Sequence, residues 1–135
     1  MKILGVTHPI PTEYAKRIYD DNKTVYVGKS NFIRVLPGQK FIIYESYGAK
    51  AYTGWADIKF IGNMEKEEIL KKYEDLLFIS KDEFKKYATK RREMNVIEFE
   101  NFEKFVKPVI PKRYVSPSGK YIYKEEYEEI IKNKG

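Results

Sequence analysis

The sequence contains no cysteine and only one histidine, and these two shortages exclude several kinds of chemistry. Without cysteine there is no disulfide, no thiolate zinc site and no cysteine nucleophile. A Ser-His-Asp hydrolase would depend on His8 alone, which stands in a Thr-His-Pro turn without an evident partner. No second histidine or carboxylate lies at metal-ligand spacing, and no glycine-rich phosphate loop is present. We therefore expect neither a metal nor a cofactor.

Long apolar runs are also missing. No run approaches the roughly 20 residues that a membrane-spanning helix needs. The opening MKILGVTHPIP lacks the apolar core and the cleavage site of a secretory signal, so we expect a cytoplasmic protein without a membrane segment. Glutamine occurs once, at Gln39, whereas Lys, Glu, Ile and Tyr are abundant. This composition is typical of proteins from hot environments and predicts a thermostable chain.

What is present is a basic, aromatic and globular composition. The 135 residues are 42% hydrophobic, 16% aromatic and 34% charged, which fits one folded domain. The formal net charge of +6 favours a polyanionic partner, and RNA or another nucleic acid is the expected class. The alternative is that this charge only keeps the protein soluble.

Hydrophobic periodicity predicts an α+β chain of short strands and helices. Strands are expected at residues 2–6, 23–29, 40–47, 51–61 and 96–99, and helices at 12–20, 65–76, 81–87 and 124–133. Pro9 should end the first strand, Asn63 should cap the second helix, and Ser80 and Glu83 should form a capping box. Strands outnumber βαβ crossovers, which favours a small barrel. Its core should include Phe41, Ile43, Ile58, Phe60 and at least one of Ile97 and Phe99.

Several segments resemble the PUA-like superfamily, which includes the ASCH and EVE domains. They are IYDDNKTVYVGK at 18–29, LPGQKFIIY at 36–44, GWADIKFI at 54–61, the helix at 80–87 and VIEFENFEKFVKP at 96–108. The whole chain resembles an archaeal family known as domain of unknown function 365, through GVTHPIP and KPVIPKRYVSPSGKYI. The resemblance implies one PUA-like domain over 1–135, a small, mostly antiparallel β-barrel with flanking helices. Residues 109–135 would form an arm and a helix packed on it. It also implies nucleic-acid binding, with RNA preferred.

Two basic stretches are candidates for contacting phosphates. Residues 104–120 carry no acid, and the candidates there are Lys107, Lys112, Arg113, Tyr114 and Lys120. Lysine and arginine pair with phosphates, and tyrosine can stack on bases. Residues 85–92 hold five cations, of which Lys90, Arg91 and Arg92 are candidates for the same face. The alternatives are a strut laid along the barrel and a solvated helix end.

Trp55, the only tryptophan, is a further candidate, because strand alternation places it on one face with Asp57 and Lys59. A polar face with one aromatic can hold an unpaired base. The alternative is that a helix covers this face and makes Trp55 part of the core.

A hydrolase site is also implied by the resemblance, because some ASCH proteins are amidohydrolases that act on modified cytidines. Lys23 and Thr24 match that pattern, but Tyr26 stands where the nucleophilic threonine belongs, and Glu45 is only a possible acid. We therefore expect a non-catalytic nucleic-acid-binding module with no catalytic residue. The alternatives are a small hydrolase acting on a modified nucleoside and a domain that binds a protein partner.

Overall fold

Six strands in one mixed sheet and four helices make up the fold. The computed structural model describes residues 2–135. The strands are β1 (Ile3–Ile10), β2 (Val25–Gly28), β3 (Lys40–Glu45), β4 (Ala51–Glu65), β5 (Glu93–Val109) and β6 (Lys120–Tyr123). The helices are α1 (Thr12–Asp21), α2 (Lys66–Tyr73), α3 (Lys81–Tyr87) and α4 (Lys124–Asn133). The predicted α+β class is confirmed.

The strand order in the sheet is β2-β5-β4-β3-β1-β6. Only the β1–β3 pair is parallel, so the sheet is mostly antiparallel, as predicted. The edge strands β2 and β6 share no ladder within residues 2–135, so a closed barrel stays a prediction. The loop after β2 nevertheless reaches the other edge. Ser30 Oγ donates to the carbonyl of Ser118 at 2.7 Å, and Phe32 meets Tyr121 edge-on, with ring centroids 5.7 Å apart.

The sheet carries a large core and a smaller one. The large core confirms the predicted burial of five side chains, each at most 2% exposed: Phe41, Ile43, Ile58, Ile97 and Phe99. The burial predicted for Phe60 is wrong, since 38% of it is exposed. The β4–β5 ladder shifts register between Ile58 and Phe60, and a bulge there breaks the alternation of faces on which the prediction relied.

The first strand does not end at Pro9, as the sequence predicted, but continues to Ile10. β3 pairs with β1 as far as Ile10, whereas β6 pairs only with the part from Ile3 to Thr7. One side of β1 is therefore an open edge at Pro9. Proline has no backbone N–H, and on an open edge no neighbouring strand is there to accept a hydrogen bond from one.

The fifth strand is far longer than the predicted 96–99, because it runs from Glu93 to Val109. Its alternation is hidden by register shifts and by Asn101, whose φ is +54°. The start of the predicted basic arm therefore lies inside β5, and its end forms β6, which the sequence analysis did not separate. Asn63 also lies in a strand, opposite Asn95, so it does not cap α2 as predicted.

The predicted capping box of α3 is present. Ser80 Oγ accepts from the Glu83 backbone N–H at 3.1 Å, and Glu83 Oε1 accepts from the Ser80 N–H at 2.7 Å. The same carboxylate accepts from Arg17 Nη1 at 2.6 Å, and this pair ties α1 to α3. Hydrogen bonds from Arg17, then from Ser80, lower the pKa of Glu83 to about 2.

Replacing Ile58 with Ala should destabilise the protein by about 2–5 kcal/mol, because it leaves a cavity in the large core. Urea unfolding followed by circular dichroism measures the change. The matched control is Val106→Ala, since Val106 is 84% exposed and its truncation should change stability by less than about 0.5 kcal/mol. Equal losses in the two variants would contradict this assignment of the core.

Acid should weaken the fold through Glu83. Its folded pKa of about 2 lies below the ordinary value of 4.5, so its contribution is complete above pH 4.5 and is lost as pH falls towards 2. Glu83→Gln should remove that part of the pH dependence of the unfolding free energy. Glu128→Gln is the control, because Glu128 is exposed and its lysine partner is 4.0 Å away. An unchanged pH profile in Glu83→Gln would refute the role of this ion pair.

Candidate nucleic-acid interface

Three of the four candidate cations of the predicted arm have carboxylate partners on α4, and Lys107 has no ion-pair partner among residues 2–135. Lys112 Nζ lies 3.2 Å from Glu129, Arg113 Nη2 lies 3.4 Å from Glu125, and Lys120 Nζ lies 3.0 Å from Glu126, in each case to a carboxylate oxygen. The first two pairs are exposed and contribute little stability, whereas the third is mostly buried. The arm therefore presents less net positive charge than its sequence predicted.

Between the arm and α4 lies a groove of about 390 Å³. Its apolar lining includes Val109, Ile110 and Ile130, and Lys107 stands at its wall. Tyr114 is 79% exposed, so its ring is open to a stacking partner. Because positive and negative side chains pair across the groove, its walls do not carry charge of a single sign.

The second basic stretch lies at the other end of β5, because Arg92 directly precedes Glu93 and the arm follows Val109. A face shared by Lys90, Arg91 and Arg92 with the arm would have to run the length of that strand. Arg92 Nη2 pairs with Glu65 Oε1 at 2.9 Å. The other exposed cations of this region have no ion-pair partner among residues 2–135: Lys29, Lys85, Lys86, Lys90 and Arg91. A cluster of unpaired positive charge therefore lies around α3.

Trp55 belongs to the smaller core, where only 5% of it is exposed. Its ring stacks on Tyr127 of α4 with centroids 5.2 Å apart, and its Nε1 donates to Glu103 Oε1 at 3.0 Å. A helix thus covers this face of β4, which is the alternative that the strand pattern left open. The enclosed ring presents no face to a base.

The residues that the ASCH resemblance pointed to do not form a constellation. Lys23 Nζ donates to the carbonyl of Asp75 at 2.7 Å, and Glu45 is buried at the end of β3. No hydrogen bond or ion pair within the described residues joins Lys23 to Glu45. Tyr26 lies in the large core, where its ring packs 5.2 Å from that of Phe41 and 5.0 Å from that of Phe78.

An aromatic cavity of about 280 Å³, which the sequence analysis did not find, opens beside the unpaired cations. Its walls come from β1, α1, β2, α3 and the segment before α3, and they include His8, Tyr14, Tyr26, Phe78, Glu83 and Tyr87. Lys29 Nζ lies 4.7 Å above the ring centroid of Tyr87, so the cationic region borders the cavity directly. Because five separate segments build these walls, no local pattern in the sequence predicts the cavity.

Tyr26 brings a hydroxyl to this cavity that has no hydrogen-bond partner among residues 2–135. The residue is 3% exposed, and burial raises its pKa well above the usual value, so the hydroxyl keeps its proton. Gly28 leaves room for it, since a Cβ at Gly28 would lie 2.7 Å from Tyr26 Oη.

His8 is the other polar group on the cavity wall beside Tyr26, with ring centroids 5.3 Å apart. His8 Nδ1 lies 2.9 Å from the Pro9 carbonyl oxygen, which only accepts, so Nδ1 carries the proton. Burial lowers the pKa of His8, and the neutral ring therefore has Nε2 as an acceptor. Gly119, with φ +82°, lies against the same strand: a Cβ there would be 2.5 Å from the Thr7 carbonyl oxygen.

Two features are absent from the part of the chain that the structure describes. No group of three or more His, Asp or Glu side chains is placed to hold a metal ion. No helix in residues 2–135 combines the length and apolarity that crossing a membrane requires.

Solved structures with a similar fold include the ASCH protein from Zymomonas mobilis, with a TM-score of 0.85 and 17% identity over 96% of this chain and 94% of that one. A tyrosine-to-phenylalanine mutant of that protein has a TM-score of 0.84 and 16% identity, over 96% of this chain and 97% of the mutant chain. The N-terminal domain of Staphylothermus marinus McrB has a TM-score of 0.61 and 16% identity, over 98% of this chain and 97% of that domain. At these identities the likeness shows the fold alone.

Sequence comparison identifies a family. An uncharacterized protein of Methanocaldococcus jannaschii, MJECS03, is 35% identical over 105 residues, covering 69% of this chain and 97% of its own length. The model of the family described as "Domain of unknown function (DUF365)" matches residues 3–124, which include both GVTHPIP and KPVIPKRYVSPSGKYI. The chain thus belongs to the DUF365 family, as its sequence predicted, and its fold is similar to that of the Zymomonas mobilis ASCH protein.

Proposed function

We propose that this protein is a non-catalytic nucleic-acid-binding module that prefers RNA. The observation that carries the proposal is the aromatic cavity bordered by unpaired cations that directly follow β2 or lie on and just after α3. In this proposal residues 1–135 act in the cytoplasm as one PUA-like domain, whose curved sheet completes a small barrel. Residues 109–135 serve as the arm and helix packed on it.

The size of the cavity favours a single base. Pockets for drug-sized ligands measure roughly 300–1,000 Å³, and about 280 Å³ is just below that range. A duplex cannot enter such a space, whereas an unpaired or extruded base can be held between aromatic rings. Tyr14, Phe78 and Tyr87 supply those rings. Stacking of this kind contributes about 1–3 kcal/mol per base.

The cations around the cavity would hold the strand from which the base comes. Lys85 and Lys86 lie on α3, and Lys90 and Arg91 lie just after it, exposed and without carboxylate partners among residues 2–135. Unpaired cations attract phosphates without first releasing a neighbouring acid, so this edge is better suited to phosphate contact than the arm. The preference for RNA rests on the resemblance to PUA-like domains and on the access of unpaired bases in RNA.

The double variant Lys90→Ala, Arg91→Ala should weaken RNA binding, because each lost phosphate contact removes counterion release. For single-stranded RNA, log Kd against log salt should flatten by about 0.7 per contact. Fluorescence anisotropy at several salt concentrations, with an unstructured RNA, a structured RNA and a duplex DNA, measures this. Negligible binding of all three probes at low salt would overturn the proposed function.

The arm provides the matched comparison, because Lys112→Ala, Arg113→Ala removes the same number of charges where each cation has an acidic partner. We expect a smaller loss of affinity and a smaller change in salt slope than at Lys90 and Arg91. Tyr114→Ala should weaken binding with little change in slope if its exposed ring stacks on a base. A larger loss of affinity in the arm variant would show that the phosphates bind at the groove beside α4 and not at the end of α3.

A further inference from the structure

The hydrogen-bonding groups inside the cavity define which edge of a base can enter it. His8 Nε2 is an acceptor, because the Pro9 carbonyl holds the ring proton on Nδ1. Tyr26 Oη carries a proton and has no partner among the described residues, so it can donate into the cavity. One acceptor and one donor therefore lie on neighbouring rings of the cavity wall, whose centroids are 5.3 Å apart.

Among the other polar groups of the cavity, the Glu83 carboxylate is already engaged. Glu83 accepts from both terminal nitrogens of Arg17, at 2.6 and 3.3 Å, and from the Ser80 N–H, so its carboxylate is largely saturated. Tyr14 and Tyr87 also line the cavity, where their rings supply stacking faces. His8 and Tyr26 form a neighbouring pair on the cavity wall, in which one ring can accept and the other can donate a hydrogen bond.

We propose that the cavity recognises a nucleobase through an edge on which an N–H donor and an acceptor are adjacent. The N–H donates to His8 Nε2, and the acceptor receives the proton of Tyr26 Oη. This proposal rests on the proposed function and names the chemistry that its cavity selects. Adenine, cytosine, guanine and uracil each have such an edge. A base whose N–H groups are all replaced by methyl groups lacks the donor, although it stacks equally well.

A base without its N–H would leave His8 Nε2 facing a methyl group in an enclosed site. A buried acceptor without a partner costs more than the hydrogen bond itself provides, so exclusion is stronger than the gain from one bond. This makes the cavity a filter against methylation at the amino or imino nitrogen. A purely aromatic cavity would not discriminate in this way.

The experiment uses four nucleosides and the only histidine in the chain. Adenosine and uridine are compared with N6,N6-dimethyladenosine and 3-methyluridine, which have no N–H on the base. Because His8 is unique, its ¹⁵N spectrum reports one site. The free protein should show the tautomer with Nε2 unprotonated. Adenosine and uridine should shift the Nε2 signal, and the methylated nucleosides should bind about three- to tenfold more weakly without shifting it.

Variants separate recognition from shape. Tyr26→Phe keeps the ring and removes only the hydroxyl, and His8→Phe keeps an aromatic wall without the acceptor. Both should reduce the preference for the unmethylated nucleosides, and the circular dichroism spectrum checks that each variant folds. Should either fail to fold, the ¹⁵N measurement on the wild-type protein still decides the question.

The failures of the two proposals are distinguishable. If RNA binds and the variant at Lys90 and Arg91 weakens it, the proposed function stands. If methylated and unmethylated nucleosides then bind equally, or if His8 Nε2 carries the proton in the free protein, the inferred recognition of the base edge is wrong. If none of the RNA and DNA probes binds, the proposed function itself fails.

Discussion

The position of β1 inside the sheet, between the parallel strand β3 and the antiparallel strand β6, is the constraint on which the rest of the structure depends. It brings the two family segments together, because GVTHPIP forms β1 and the end of KPVIPKRYVSPSGKYI forms the start of β6. The contact is close enough that Gly119 has no room for a side chain beside Thr7. The same pairing places His8 on the wall of the cavity.

Where positive charge is available on the surface depends on which cations have carboxylate partners, as well as on where the sequence places lysine and arginine. Helix α4 places Glu129, Glu125 and Glu126 against Lys112, Arg113 and Lys120, so acids from further along the chain pair with most of the cations of a stretch that has no acid of its own. Helix α3 has basic residues in its last turn and beyond it, and no such acidic neighbour covers them. Part of the net charge of +6 is therefore carried by a cluster of unpaired cations near α3.

The sequence was sufficient where one element carried its own signal. The limits of α4 and the capping box at Ser80 follow from local periodicity and local hydrogen bonds. The sequence was insufficient where the pairing register of two strands decided which side chains are buried and how long a strand is. Phe60 and the length of β5 depend on bulges between β4 and β5, which have no local signature. The cavity was out of reach because His8, Tyr26 and Tyr87 lie on different elements. Finding it requires knowing which distant segments the fold brings together.

The open side of β1 at Pro9 has a consequence for how the molecule behaves in concentrated solution. Beyond Thr7 no strand within residues 2–135 pairs with this side, and an uncovered strand edge is a template on which another chain can add its own strand. Pro9 interrupts the row of N–H donors there, and a proline on an edge opposes such strand addition. Pro9, which the sequence predicted to end the strand, therefore lies on an open strand edge, where it opposes aggregation by strand addition.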